Sequence, residues 1–280
     1  MPIADKPLSG IGYAGAWARR EFIRVAGGTA SHESASIADE VPIALVYNGR
    51  PHVVMMGTPL DLEDLAFGFT RTEGIAEANG DIERVDVVRA SHGIELQIQI
   101  SARSALRLAE RSRALVARTG CGLCGIETIN DALRVPPQVA HDLSLPPSAL
   151  WRASGELTHK QTLNADTNAV HAAAWASCDG AVAIAREDVG RHNALDKTLG
   201  ALERSGVSPA AGFLVVTSRA SYEMVQKAAS AGVELLAAVS RPTGLAIRFA
   251  EAAGMTLVGL LRGTTANVYC GQERVIMSDL

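Results

Sequence analysis

The chain has 280 residues, 48% of them hydrophobic, and a formal net charge of −4. That length suits one large domain or two modest ones, and the apolar fraction is enough for a real core. No basic excess is present to neutralise a nucleic-acid backbone, which excludes that class of partner and still leaves room for a local basic pocket.

The segment Met1–Phe22 lacks the basic start and apolar run of a secretory signal. No stretch approaches the roughly 18 apolar residues that span a bilayer. The expectation is a cytoplasmic protein without membrane contact. There the four cysteines would be reduced, so a close cysteine pair points to catalysis or metal binding rather than to a structural staple.

Residues 1–34 mix Gly, Ala, Ser and charge without periodicity and read as a mobile arm with one strand near Phe22–Val25. Ile43–Tyr47 is a strand signal, Asn48-Gly49 a hairpin turn and His52–Met56 the return strand. Thr58 is a good helix N-cap, Pro59 suits the first helical position, and Asp61, Glu63 and Asp64 suit the positive helix end. That helix should run through Phe69 and stop near Gly74. Arg84–Arg89 and Ile94–Ile100 read as strands, the second by strict alternation, and Ser104–Ala117 as a helix. The cysteine segment and four prolines (Pro136, Pro137, Pro146, Pro147) then mark a boundary.

Beyond it, Ala172–Ala176, Ala181–Ala185, Phe213–Thr217, Leu235–Val239 and Leu257–Leu261 are apolar strand signals. Helical stretches at Asn193–Leu202, Tyr222–Ala231 and Gly244–Ala253 separate them. This alternation predicts parallel crossovers and a covered sheet, with ligands at the carboxyl ends of the strands. The expected division is an arm over 1–34, a small α+β domain over 35–117, a cysteine loop and linker over 118–147, and an α/β domain over 148–280.

Chemistry concentrates in a few places. In Arg118-Thr-Gly-Cys121-Gly-Leu-Cys124-Gly125 two thiols lie within one turn of chain, and the glycines remove bulk around them. Arg118 and nearby N–H groups favour a thiolate. Zinc, redox exchange, sulfur handling and an inert pair all remain open on spacing. Zinc is weakened because Cys178 and Cys270 stand alone. The motif Arg186-Glu-Asp-Val-Gly-Arg191-His192-Asn-Ala-Leu-Asp-Lys197 follows a buried strand and opens a helix, a position that binds anions, although a surface charge run is the alternative. Ser218-Arg219-Ala-Ser221 is placed likewise and could be simple capping. Arg262-Gly263-Thr264-Thr265 suits a phosphate or a guanine edge, or an ordinary turn. His171 heads a buried strand and by itself reads more often as a structural histidine. Zinc deaminases carry His-x-Glu and a later Pro-Cys-x-x-Cys; here Ala173 replaces the glutamate and no such cysteine pair follows.

Together these stretches resemble the formate dehydrogenase accessory sulfurtransferase family, often called FdhD. The likeness runs from about Glu40 to Arg274. It is carried by Tyr47-Asn48-Gly49, Thr58-Pro-x-Asp61-Leu-Glu-Asp-Leu-Ala66, the Cys121/Cys124 pair, Arg186–Lys197, Ser218–Lys227, and Leu261-Arg-Gly263 through Tyr269. The resemblance implies a sulfurtransferase that takes sulfur from a cysteine desulfurase as a persulfide. It would pass that sulfur to the molybdenum bis(molybdopterin guanine dinucleotide) cofactor, bound as substrate, before insertion into formate dehydrogenase. It makes Cys121 the persulfide residue and Cys124 its assistant. The family's cofactor-binding stretch falls on Leu260, Leu261, Arg262, Gly263, Thr264 and Thr265, with His171, Arg191, His192 and Arg219 as further candidate ligands. It implies an α/β protein, α+β overall, whose second part is a cytidine-deaminase-like three-layer α/β domain without zinc or any tightly bound metal, in a homodimer that binds a guanine-nucleotide-like ligand. Two departures stand out: the usual Thr-Gly-Gly before His171 reads Thr167-Asn168-Ala169, and the usual Ser-Gly-Arg reads Thr217-Ser218-Arg219. A cofactor chaperone that transfers no sulfur, and a deaminase-like zinc hydrolase, are the rival functions.

Overall fold

The computed structural model describes residues 15–77, 80–90, 92–118 and 136–276, and of residues 111–118 the helical backbone alone. Where one short strand was expected near Phe22–Val25, two long ones form, β1 (Trp17–Ala26) and β2 (Thr29–Ala38), paired antiparallel. Gly27 and Gly28 both take positive φ (56° and 85°), the geometry of a two-residue hairpin turn. Arg19 donates to Ser34 across the pair at 2.8 Å. The signal was faint because neither strand keeps a regular apolar–polar alternation: β1 breaks it with Arg19-Arg20-Glu21 and Phe22-Ile23, and β2 is mostly small and polar.

A second sheet follows the expected alternation. It comprises β3 (Val41–Tyr47), β4 (Arg50–Gly57), β5 (Ile82–Ala90) and β6 (Gly93–Ile100), ordered β4-β3-β6-β5. Asn48 and Gly49 turn the β3–β4 hairpin at φ 48° and 77°. The Asn48 side chain also donates to Ile100 O and accepts from Ile100 N, tying the turn to the end of β6. Ile43, Leu45, Ile94, Leu96 and Ile98 point to one face, which α1 (Leu62–Thr72) and α2 (Ala102–Arg118) cover.

The third sheet comprises β7 (His171–Ser177), β8 (Val182–Asp188), β9 (Gly212–Val216), β10 (Leu235–Ala238), β11 (Thr256–Arg262) and β12 (Thr265–Cys270), in the order β12-β11-β10-β9-β7-β8. Strands β9, β10 and β11 are parallel; β7 runs antiparallel to both of its neighbours, and β12 to β11. Side chains alternate between two cores. Ala173, Trp175, Leu214, Val216 and Leu236 pack with α5 (Arg191–Ser205), α6 (Tyr222–Ser230) and α7 (Gly244–Ala253). Ala172, Ala174, Phe213, Val215 and Leu235 pack with α3 (Pro147–Lys160), which is followed by the short α4 (Thr162–Thr167). The sheet therefore lies between two helical layers, as strands buried on both faces require. Helices α3 and α4 were not foreseen; α3 buries Leu150, Ala153 and Leu157, spaced i, i+3 and i+7, among polar residues. No described helix is long and apolar enough to cross a membrane.

The two larger sheets are joined through α1 and α5. A methyl group on Gly68 would overlap the Asp196 carbonyl, and one on Gly200 the Asp64 carbonyl, so the helices touch backbone to backbone. Polar side chains lock the crossing. Lys197 and Asp188 form a fully buried ion pair at 2.6 Å. Asp188 also accepts from Thr58 N at 3.0 Å, Lys197 donates to Thr58 O at 2.9 Å, and Asn193 donates to Met56 O at 2.9 Å. A second buried group links Asp196, Lys227, Thr72 and Glu73. Burial opposes the Lys227 charge, yet Asp196 and Glu73 outweigh it and hold its pKa above the ordinary lysine value. Arg186 and Arg204 both reach Asp64, at 2.8 and 2.5 Å.

This network corrects one expectation. Thr58 does not cap α1: its N–H, carbonyl and hydroxyl are engaged by Asp188, Lys197 and Val189. The helix starts later, after Asp61 in the left-handed region at φ 50°.

Gly68→Ala should force α1 and α5 apart and cost about 3 kcal/mol. Gly155→Ala, where a methyl group on α3 meets nothing within 4 Å, should be neutral or stabilise by up to about 1 kcal/mol. Paired thermal or urea denaturation of the two variants tests this; equal stabilities would refute the close crossing. Lys197→Met should cost about 3–5 kcal/mol, because Asp188 is left buried without its cation, and its denaturation midpoint is the check.

Candidate ligand site at one sheet edge

Strand directions gather the sequence-selected residues of the third sheet along one edge. His171 begins β7 and is the register partner of Asp188, the last residue of β8. Arg191 and His192 open α5 just after β8. Arg219 lies between β9 and α6. Leu260, Leu261 and Arg262 complete β11, and Gly263-Thr264 turns into Thr265 of β12. Cys121 and Cys124 lie outside the described residues.

His171, Arg191, His192 and Arg219 form one electrostatic group. Burial pushes the pKa of half-buried His171 below the ordinary histidine value, and the Arg191 guanidinium lowers it further. Burial is also the main cause of the lowered pKa of His192; Glu223, at 2.6 Å, pulls upward, while Arg191, Lys227 and Arg219 push downward. The Nε atom of Arg191 and the hydroxyl of Ser221 are buried and find no partner among the described residues. Both sit at helix starts, where N–H groups and the helix dipole favour an anion. Arg262, Gly263, Thr264 and Thr265 are exposed at the other side of the edge, beyond β7, β9 and β10. The backbone there is irregular. Leu260 takes φ 53°, a left-handed conformation that is a true outlier for a bulky residue, and its N–H reaches Ser240 O at 3.3 Å. The β11–β12 register shifts between Gly259 and Arg262.

Below this edge, between α3, α4 and the strand ends, lies a cavity of about 290 Å³ lined by Ser154, Thr158, Gln161, Asn164, His171 and Thr217 among others. Glu187 fixes its wall by accepting from Leu163 N and Asn164 N at 2.8 and 2.9 Å. Helix α4 ends at Asn168, φ 51° and ψ 30°. That is a conformation glycine adopts freely and asparagine tolerates, so the Asn168 departure preserves the turn. Ser218 is not among the positive-φ residues; its backbone makes no demand for glycine.

Reading the sequence missed the cavity residues Gln161, Asn164 and Thr217, and it misread half of the Arg186–Lys197 motif. Asp188, Asn193, Asp196 and Lys197 are buried and face α1 and the Met56–Thr58 segment, whereas Arg191 and His192 stand at the strand ends of the third sheet. The signal was available, since Asn193, Asp196 and Lys197 share one helix face at i, i+3 and i+4. Among the described residues no three His, Cys, Asp or Glu side chains group at metal-binding spacing.

The fold and its cationic edge define a class: a mixed α/β protein that gathers arginine and histidine side chains at the strand ends of its largest sheet. The chain belongs to the FdhD/NarQ family, whose family model matches residues 38–276. It is 48% identical over 257 residues to a sulfur carrier protein FdhD of Bordetella bronchiseptica, covering 91% of this chain and 93% of that one. A protein of the same description from Cupriavidus necator is 48% identical over 239 residues, covering 85% and 83%. Among solved structures, a formate dehydrogenase accessory protein from Desulfotalea psychrophila has the same fold, with a TM-score of 0.74 at 23% identity over 93% of this chain and 100% of that one.

Because Arg191 depresses both histidines, Arg191→Met should raise the pKa of His171 and of His192. Glu223→Gln removes the one upward influence on His192 and should lower its pKa further while leaving His171 in place. Histidine ring titration by NMR measures both, and a His192 pKa unmoved in either variant would refute the grouping.

Proposed function

We propose that this protein is a sulfur carrier serving formate dehydrogenase, working through a persulfide on Cys121 and a guanine-dinucleotide cofactor bound at the cationic edge. Sulfur carriage rests on the close relatives of that description; the ligand reading rests on the cluster of Arg191, His192 and Arg219 at two helix starts. In loading, the Cys121 thiolate attacks the terminal sulfur of a cysteine desulfurase persulfide; the donor S–S bond breaks and the donor leaves as its thiolate. Cys124 assists as the neighbouring thiol. In release, the Cys124 thiolate attacks the inner sulfur of the Cys121 persulfide, hydrosulfide leaves for the molybdenum bis(molybdopterin guanine dinucleotide) cofactor, which is cargo rather than a resident group, and an external thiol reduces the Cys121–Cys124 disulfide that remains; the cofactor then moves on to the dehydrogenase. The protein is a sulfurtransferase in this sense.

The dimensions support a long ligand. From β8 to β11 the edge crosses four strand spacings, roughly 19 Å. Phosphates would lie against Arg191 and Arg219, and Leu260–Thr265 would take the far end. The three-layer arrangement with its antiparallel first hairpin supports a cytidine-deaminase-like reading of residues 148–280. The two imidazoles at this edge, His171 and His192, stand beside guanidinium groups whose charge disfavours a second cation, which supports the reading without zinc. We also propose the separate small domain over 35–117, a cytoplasmic setting and a homodimer.

Incubation with a desulfurase and cysteine, followed by mass spectrometry, should find one added sulfur on Cys121, absent in Cys121→Ala. The same variant should lose activation of formate dehydrogenase. Full activation by Cys121→Ala would overturn the carrier role and leave a cofactor chaperone.

A further inference from the structure

We propose that Thr58, which precedes α1 and stands outside the cationic strand ends, is a positioning residue for them: it holds the turn that carries Arg191 and His192. The inference rests on the reading above that Arg191 meets the ligand's phosphates, and it gives a role to a fully buried residue that itself meets no ligand.

The start of α5 has no cap of its own. Its N-cap is Gly190, which has no side chain to receive the first N–H groups of the helix. The turn into the helix is held from a distance instead. Val189 N donates to the Thr58 hydroxyl at 3.1 Å, and Gly190 N donates to Asp188 Oδ1 at 2.7 Å. Asp188 is fixed in turn by Thr58 N at 3.0 Å and by Lys197 Nζ at 2.6 Å, and Lys197 also donates to Thr58 O at 2.9 Å. Thr58 thus grips both N–H groups of the turn, one directly and one through Asp188, and each of its three polar atoms takes part.

Arg191 depends on this turn. Its Nε is buried and has no partner among the described residues, so the backbone beneath the side chain, rather than an anchor at that atom, aims the guanidinium. The turn also lies beside His171, because Asp188 is the register partner of His171 across β7 and β8. After burial, which is the main cause, the Arg191 charge lowers the pKa of His171 and of His192; at His192, Lys227 and Arg219 add to it and Glu223 opposes it. The two imidazoles therefore report where the guanidinium stands. Gly57 leaves room for the contact: a methyl group there would meet the Asn193 amide at 2.9 Å and Asp188 Oδ2 at 3.3 Å.

The test is NMR titration of the histidine rings in the full chain, with thermal denaturation alongside. Thr58→Val keeps the side chain's shape and both backbone contacts and removes only the acceptor of the Val189 N–H. A buried donor left without a partner makes the turn shift. Both histidine pKa values should then rise part of the way to those of Arg191→Met, and activation of formate dehydrogenase should fall roughly tenfold or more. Thr58→Ser, which restores the hydroxyl, should return both. A merely structural role would lower the melting temperature of Thr58→Val and leave the histidines where they are, and that outcome overturns the proposal. If Thr58→Val fails to fold by circular dichroism, Gly57→Ala presses on Asn193 and Asp188 from the same segment and should move the same two pKa values; unmoved values there overturn the proposal equally. Histidine shifts in Thr58→Val, with full activation retained by both it and Arg191→Met, would spare the positioning role and overturn the cofactor reading instead.

Discussion

The structure depends on a crossing of two helices with no side chains between them. At Gly68 and Gly200 the backbones of α1 and α5 meet directly, and that proximity brings Asp188, Asn193 and Lys197 within reach of the Met56–Thr58 backbone. Neither part works without the other. Close approach places carbonyls and amides where buried charges can satisfy them, and the satisfied charges make it tolerable to bury an ion pair at all. Burial still holds the Lys197 pKa below the ordinary lysine value, with Asp188 pulling the other way, so the pair keeps its charges only while Thr58 and Asp188 remain in place.

The same helix serves the ligand edge. Its first turn presents Arg191 and His192 at the strand ends, and its next two turns fasten α1 and the segment before it. The short distance along α5 means that the geometry of the cationic group is set by the interdomain contact. Lys227 shows the coupling in a single side chain: it binds Thr72 and Glu73 at the end of α1, pairs with Asp196, and lowers the pKa of His192.

Much of this was legible in the sequence. Alternation placed β6, because a strand with one buried face writes its period directly, and short apolar runs placed β3 and the strands of the large sheet, whose two faces are both buried. The Asn48-Gly49 turn and the helices α5, α6 and α7 were equally plain. What failed had a tertiary cause. Thr58 looked like a cap because nothing local shows that Asp188, 130 residues away, takes its N–H. The β1–β2 hairpin lacks an apolar period, and α3 is polar enough to resemble a linker. For the site, the charged motif was visible, but its division between fastening and binding depends on which residues face α1. The cavity was invisible because Gln161, Asn164 and Thr217 are ordinary polar residues until folding makes them neighbours. The cysteine pair lies outside the described residues, so its role continues to rest on sequence and kinship.

The glycine crossing has a consequence for genetics. A random search for inactive alleles would hit one stretch, Arg186–Lys197, with two kinds of lesion that sequence position alone could not separate. Changes at Asp188 or Lys197 act by loosening the molecule, so their phenotype should depend on temperature and recede on overexpression. Changes at Arg191 leave the body intact and should be equally defective at every temperature. A temperature shift would thus sort the alleles of this motif into those that hold the protein together and those that act at the cationic strand ends.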